Sequence, residues 1–348
     1  MSTRYKHISD HEPRQLLRVG LIGDPVAHSY SPRFQQAAFE ALGIPARYEL
    51  WQTPLDQLSA RVASLLDPHC LGANVTIPHK EAVLPLLDTV DPLAACIGAV
   101  NTIVHEDEYL HGYNTDAPGL LYALAEQGIG EPGAGSHSSQ PLQPPLPNTP
   151  GQPQGSTPPH PTSLAPTRYG FASPLPSLQD YTVVLLGAGG AARSAAFALA
   201  IAGVTRLIIV NRHLERAQRL ATEVQQSNDC QVFSLSDPDF LIPYPRSLII
   251  NATSVGMHAA NAQAGAADQE HVSPLPANVL ARFAPNTFVF DMVYNPIQTQ
   301  LLIQAHMLGL RAVNGLPMLL HQGALAFTLW TKQPAPLEVM RAALTSFD

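Results

Sequence analysis

Cysteine, charge and long apolar runs are all scarce in this chain, and each scarcity excludes a class of protein. The 3 cysteines, Cys70, Cys96 and Cys230, are widely spaced with no CxxC among them. So sparse and odd a set argues against a disulfide framework and a structural zinc site, and for reduced thiols in a reducing compartment. No metal site is expected. Charged residues make up only 13%, 19 basic against 27 acidic, with no Lys/Arg run. Nucleic acid and anionic membrane surfaces are therefore not expected partners. Nowhere do about 18 apolar residues run together, as a membrane-spanning helix needs. The first twenty residues, MSTRYKHISDHEPRQLLRVG, hold no apolar stretch that could act as a secretory signal. A cytoplasmic location is expected.

Proline, by contrast, is plentiful and unevenly placed. Of 33 prolines, 13 fall between Glu131 and Pro176, a stretch with only two charged residues, Glu131 and Arg168. It shows no apolar periodicity and cannot bury enough surface to offset the entropy of ordering it. A disordered or polyproline-like insert is expected over 129–177. The remaining chain, within 348 residues of 45% hydrophobic content, suffices for two domains with separate cores.

Both flanks of the insert alternate short apolar runs with amphipathic segments. Before it, strands are expected over 18–23, 46–52 and 71–76, with a hairpin of 101–105 and 109–113 across an acidic turn. A helix is expected over 31–42, with Ser31 as N-cap, Pro32 in the first turn and Gly43 past the end. After the insert, strand 181–186 enters a glycine-rich turn and a helix through Ala202. Strands 207–210, 247–251 and 287–291 follow. Strands alternating with helices predict an α/β fold with mostly parallel sheets in two domains.

The glycine-rich turn, Gly187-Ala188-Gly189-Gly190-Ala191-Ala192, carries the clearest chemistry. Such a turn is more often structural than nucleotide-binding. Here it lies between a strand and a helix, where free N–H groups and the helix dipole favour a pyrophosphate. The next strand ends in Asn211-Arg212-His213, with Arg216 one turn on, where an NAD site usually offers an acid about 20 residues beyond the glycines. An arginine there pairs with a 2′-phosphate; without the preceding turn it would read as a solvated helix face. NADP is the expected cofactor.

In the first half, Asn74-Val75-Thr76-Ile77-Pro78-His79-Lys80 sets a lysine where a strand should meet a helix, a first turn whose dipole prefers acids. Asp116, in Gly112-Tyr113-Asn114-Thr115-Asp116, precedes a helix expected near Pro118. Each alone reads as a surface lysine and a helix cap. Together, at two strand ends of one small domain, they can form a proton-transfer pair in a cleft. Ser29 and Ser31 of SYSP can bind a carboxylate at a helix N-terminus, although Ser31 also reads as a plain cap.

Nine segments taken in order resemble the shikimate dehydrogenase family along nearly the whole chain outside the insert. They are GDPVAHSYSP (23–32), NVTIPHK (74–80), GAVNT (98–102), GYNTD (112–116), GAGGAARSA (187–195), NRHLERA (211–217), NATSVGM (251–257), DMVYNP (291–296) and NGLPMLLHQGA (314–324). The resemblance implies that Lys80 is catalytic with Asp116 as its partner. It implies that Ser29, Ser31 and Tyr294 hold the substrate carboxylate, and that Thr76, Asn101, Asp116 and Gln322 hold the ring hydroxyls. Gly187, Ala188, Gly189, Gly190 and Ala191 match the pyrophosphate turn. Asn211, Arg212, His213 and Arg216 match the adenosine-phosphate clamp, and Met292 and Gly315 the nicotinamide side. His213 departs from the family's usual Thr or Ser, and the insert is no part of the pattern.

The resemblance also implies a discontinuous substrate-binding domain (15–128 plus 316–348) and an NADP-binding Rossmann domain (178–315), with a cleft between them. The implied reaction is NADPH-dependent reduction of 3-dehydroshikimate to shikimate, in chorismate and aromatic amino-acid biosynthesis, by a monomer or homodimer. Its rivals are a quinate/shikimate or aminoshikimate-type dehydrogenase and a non-catalytic ligand-binding relative.

Overall fold

A computed structural model describes residues 16–130, 176–225, 229–234, 246–257 and 272–346. Of the insert expected over 129–177, residues 131–175 lie outside the described residues, while Ile129, Gly130 and Ser177 take part in backbone hydrogen bonds.

The first half runs β1 (Leu17–Gly23), α1 (Ser31–Ala41), β2 (Ala46–Gln52), α2 (Leu58–Ala63), β3 (Cys70–Val75), β4 (Thr89–Val90), α3 (Pro92–Ile97), β5 (Thr102–Glu106), β6 (Tyr109–Tyr113) and α4 (Asp116–Glu126). Its sheet has the order β2-β1-β3-β5-β6-β4. Strands β2, β1 and β3 run parallel, whereas β3, β5 and β6 pair antiparallel. Burial follows position: central β3 is buried throughout, and edge strand β2 alternates buried and exposed residues. The expected hairpin is present, its turn made by Asp107 and Glu108 at φ 50° and 67°. Two left-handed residues twist the turn the way the flanking strands twist.

The second half runs β7 (Thr182–Leu186), α5 (Gly190–Ile201), β8 (Arg206–Asn211), α6 (Leu214–Val224), β9 (Asp229–Ser234), β10 (Ser247–Asn251), α7 (Ala277–Leu280), β11 (Phe288–Asp291), α8 (Gln300–Met307), β12 (Arg311–Val313), α9 (Leu316–Thr331) and α10 (Leu337–Thr345). All six strands are parallel in the order β12-β11-β10-β7-β8-β9. This is the doubly wound arrangement whose order reverses beside the first strand, β7, so that a crevice opens at the strand ends there. Expected strand boundaries hold to within a residue or two; β4, β9 and β12 went unanticipated, being short or weakly apolar.

After β12 the chain returns to the first half. Trp330 Nε1 on α9 donates to the Ile103 carbonyl at 2.9 Å, and Gln35 Nε2 on α1 donates to the Gly323 carbonyl at 3.0 Å. Leu320, Phe327, Leu337 and Met340 complete the core over α1 and β1. A second core joins α4 to the alanine-rich face of α5, so the halves meet along a packed helix pair.

Where the insert leaves and re-enters, the chain is already closed: Ser177 N–H donates to the Gly130 carbonyl at 3.0 Å. A two-residue turn closes with the same bond, between its residues i and i+3. Replacing 131–176 by Asn-Gly is therefore expected to keep kcat within about twofold, since loop-closure entropy changes only with the logarithm of length. Loss of most turnover in a variant with a normal melting temperature would refute this.

Candidate active site

The site is assembled at the strand ends of both sheets. Thr76 follows the central strand β3, and the segment 76–83 after it is a turn rather than the expected helix start. Lys80 is thus free of the unfavourable helix dipole. Among the bonds that fix the turn, the buried His79 ring Nε2 meets the Thr53 carbonyl at 2.6 Å, and Val100 N–H donates to the Lys80 carbonyl at 2.8 Å.

Lys80 Nζ reaches Asp116 Oδ2 at 2.6 Å, and both side chains are mostly buried. Asp116 lies in the first turn of α4, after Thr115 at the cap, where the dipole favours a carboxylate. Its other oxygen accepts from Asn101 Nδ2 at 2.8 Å. Asn101 is pinned in turn, its Oδ1 accepting from Thr115 N–H at 2.7 Å. Gln322, on α9, brings its Oε1 within 3.3 Å of the same Asn101 amide. An ion pair taken out of water is a poor stabiliser, because desolvation offsets its attraction, so this arrangement points to chemistry.

The two serines sit beyond β1. Ser31 is not the N-cap: Tyr30 holds that position with no side-chain cap, and Ser29 Oγ accepts from Ser31 N–H at 3.2 Å. The tight SYSP turn shifts the helix start by one residue and frees the Ser31 hydroxyl from capping, so that it meets the Tyr48 hydroxyl at the cleft. Tyr294 closes this corner, its ring 5.3 Å from that of Tyr30. Burial pushes the Tyr294 phenol up, against a smaller opposing pull from a hydrogen bond with Ser29.

Ser29, Ser31, Thr76, Lys80, Asn101, Asp116 and Gln322 line one cleft of about 170 Å³, together with Ala191, Met292, Tyr294 and Gly315. That volume suits one small molecule rather than a drug-sized ligand, and the polar side chains along it offer hydrogen bonds to hydroxyl and carboxylate groups. Met292 and Gly315 are in such close contact that a side chain at 315 would strike the Met292 carbonyl. Two residues of this corner escape a reading of the sequence. Asn74, which lines the cleft, lies within NVTIPHK, where the lysine is the conspicuous signal. Tyr48, which donates to Asn74 Oδ1 at 2.7 Å, is visible only as an inward position of alternating β2.

The glycine turn fits a dinucleotide. Gly187 has φ 112°, which only glycine adopts freely, and open space surrounds Gly189, the N-cap of α5. No side chain caps α5, so its first N–H groups are available to an anion. A Cβ built on Gly190 would lie 3.9 Å from Lys80 Cδ, so turn and lysine share the cleft. At the end of β8, Asn211 Nδ2 donates to the His213 carbonyl at 2.8 Å, leaving Arg212, His213 and Arg216 exposed. Among the described residues, no group of three or more His, Cys, Asp or Glu could hold a metal, and no helix is long and apolar enough to cross a membrane.

A Rossmann domain facing a lysine–aspartate pair across a small polar cleft defines a nicotinamide-dependent dehydrogenase of small hydroxylated substrates. Residues 21–103 match the shikimate dehydrogenase substrate binding domain, 171–266 match shikimate / quinate 5-dehydrogenase, and 315–345 match the shikimate 5'-dehydrogenase C-terminal domain. The chain belongs to the shikimate dehydrogenase family. It is 39% identical to shikimate dehydrogenase (NADP(+)) of Moorella thermoacetica, covering 94% of this chain and 92% of the relative. The enzyme of the same name from Methanopyrus kandleri is 36% identical, covering 94% of each. Among solved structures, shikimate 5-dehydrogenase of Thermus thermophilus, in complex with NADP(H) and shikimate, superposes with a TM-score of 0.69 at 35% identity, covering 94% of this chain and 98% of that one.

Proposed function

We propose that this chain catalyses the reversible NADPH-dependent reduction of 3-dehydroshikimate to shikimate, with the cleft as its active site. The observation that carries the reading is the Lys80–Asp116 pair, 2.6 Å apart and packed beside the dinucleotide turn. In the bound state the nicotinamide supplies or accepts the hydride. Lys80 Nζ gives a proton to the new alkoxide in reduction and takes it back in oxidation. Asp116, oriented by Asn101, holds the lysine and accepts from a ring hydroxyl. Asn101, Thr76 and Gln322 take the remaining hydroxyls, and Ser29, Ser31 and Tyr294 take the carboxylate. Gly187 to Ala191 hold the pyrophosphate, Asn211 to His213 with Arg216 the adenosine phosphate, and Met292 and Gly315 border the nicotinamide.

The chain then divides into a substrate domain of 15–128 plus 316–348 and an NADP domain of 178–315, in a cytoplasmic monomer or homodimer. The return of α9 and α10 onto α1 supports that division. Initial rates with shikimate and quinate, each with NADP⁺ and NAD⁺, test the assignment. The expected result is a clear preference for shikimate with NADP⁺; faster turnover of quinate with NAD⁺ would overturn it.

The corrected start of α1 separates two effects. Ser29→Ala and Ser31→Ala are each expected to raise KM for shikimate about tenfold, the loss of one hydrogen bond to a charged group. Only Ser29→Ala should also lose stability, by roughly 0.5–2 kcal/mol, because its hydroxyl, not that of Ser31, binds a first-turn N–H of α1. Unchanged KM values in both would move the carboxylate site elsewhere.

A further inference from the structure

Asp291, the last residue of β11, is fully buried and takes no part in the mechanism above. Its carboxylate accepts from Asn251 Nδ2 at 2.8 Å, from Thr299 Oγ1 at 2.6 Å and from Val293 N–H at 3.1 Å. All three donors are neutral. Among the described residues no lysine, arginine or histidine pairs with it. Burial, opposed by these bonds, pushes its carboxyl up to about 6; both oxygens act only as acceptors, the arrangement that suits the ionised form. A buried charge without a counter-ion is costly, and an asparagine could make most of the same bonds. Scaffolding alone does not account for the acid.

Its place in the sheet offers an account. A dinucleotide lies across the strand ends of a doubly wound sheet. The pyrophosphate turn follows β7 and the arginine pair follows β8, so the adenosine half points towards β8. The nicotinamide half must then point the other way, over the ends of β10 and β11, where Asn251 and Asp291 are register partners. Met292 and Tyr294, on either side of the Val293 amide that Asp291 binds, line the cleft. Across that cleft Lys80 and Asp116 neutralise one another, which leaves Asp291 as an uncompensated negative charge on the nicotinamide side.

We propose that Asp291 sets the preference of this site between cofactor redox states, its buried carboxylate favouring the cationic nicotinamide of NADP⁺ over the neutral ring of NADPH. The inference rests on the NADP reading of the site. Its test is the pair of dissociation constants for NADP⁺ and NADPH, measured without substrate on the full chain. In Asp291→Asn the ratio should shift towards NADPH by about three- to tenfold, the size of one charge acting through partly screened protein. The swap Asn251→Asp with Asp291→Asn returns the carboxylate to the same hydrogen-bonded pair and should restore the wild-type ratio. If Asp291→Asn does not fold, Asp291→Ser removes the same charge with less steric demand and carries the comparison. A purely structural role would weaken both cofactors together and leave the ratio unchanged, which would overturn the proposal. Failure of wild-type protein to bind either cofactor would instead overturn the NADP reading.

Discussion

Lys80→Ala is expected to lower kcat by about 10²–10⁴ at saturating substrates, the usual range for loss of a general acid–base group, or about 3–5 kcal/mol of barrier. A Cβ at Gly190 of the dinucleotide turn would meet the stem of the lysine and not its ammonium, so the dissociation constant of NADP⁺ should stay within about threefold. Asp116 keeps its bond from Asn101, and the cleft admits water to replace the lost ammonium. Lys80→Arg sharpens the test. It retains a cation beside Asp116, yet a guanidinium does not release its proton in a protein. Shikimate oxidation, which needs a proton taken up at this position, should therefore stay low in Lys80→Arg even though the ion pair is kept. A Lys80→Ala enzyme within threefold of wild-type kcat would remove Lys80 from the chemistry.

The ion pair itself is legible in the sequence only as two ambiguous residues. A lysine 36 positions before an aspartate carries no information about distance, and each has an ordinary reading on the surface or at a helix end. Context changes the odds, because NVTIPHK and GYNTD both end strands of one small sheet. What sequence does not supply is Asn101 as the hinge of the arrangement, since its role depends on Thr115 N–H and Asp116 Oδ1 arriving together through the pairing of β5 with β6. Non-local pairing of this kind leaves no periodic trace.

Local rules fail where two of them compete. Ser31 before Pro32 satisfies every statistical requirement of a cap, yet the Ser29 hydroxyl satisfies the Ser31 N–H first and the helix begins a residue early. The lysine turn fails in the opposite sense. The run from His79 to Leu87 contains good helix formers, but Pro78 and Pro85 limit it to a turn and a short 3₁₀ segment at Leu84–Leu86. Asp291, within DMVYNP, shows no role in the sequence, because an acid at a strand end looks like any other until its burial and its neutral partners are seen. The four inner strands of the Rossmann half, by contrast, are readable, while its edge strands β9 and β12 are not. The inner strands are buried on both faces and so appear as unbroken apolar runs, TVVLL and SLIIN among them.

Arg212→Ala is expected to raise KM for NADP⁺ by about 10- to 150-fold while changing KM for NAD⁺ little, because only NADP⁺ carries the 2′-phosphate and a charge-assisted contact is worth roughly 1.5–3 kcal/mol. Two features of the site set where in that range the effect falls. Arg212 is exposed at the end of β8, so water and salt screen its pairing, and Arg216 one turn along α6 can hold part of the phosphate charge. The single variant should therefore lie towards the lower end, and Arg212→Ala with Arg216→Ala should lose more than either alone. Screening gives an independent check: the wild-type preference for NADP⁺ should narrow as ionic strength rises from about 0.01 M to 1 M, where the Debye length falls from roughly 30 Å to 3 Å, and the double variant should show almost no such dependence. Arg212→Asp goes further, placing at this strand end the acid that an NAD site uses for the ribose hydroxyls. It should repel NADP⁺ while leaving NAD⁺ usable, so the ratio of kcat/KM for the two cofactors should fall below that of Arg212→Ala. Equal losses for NADP⁺ and NAD⁺ across these variants would show that the arginines form an ordinary solvated helix face and that the 2′-phosphate is held by other groups.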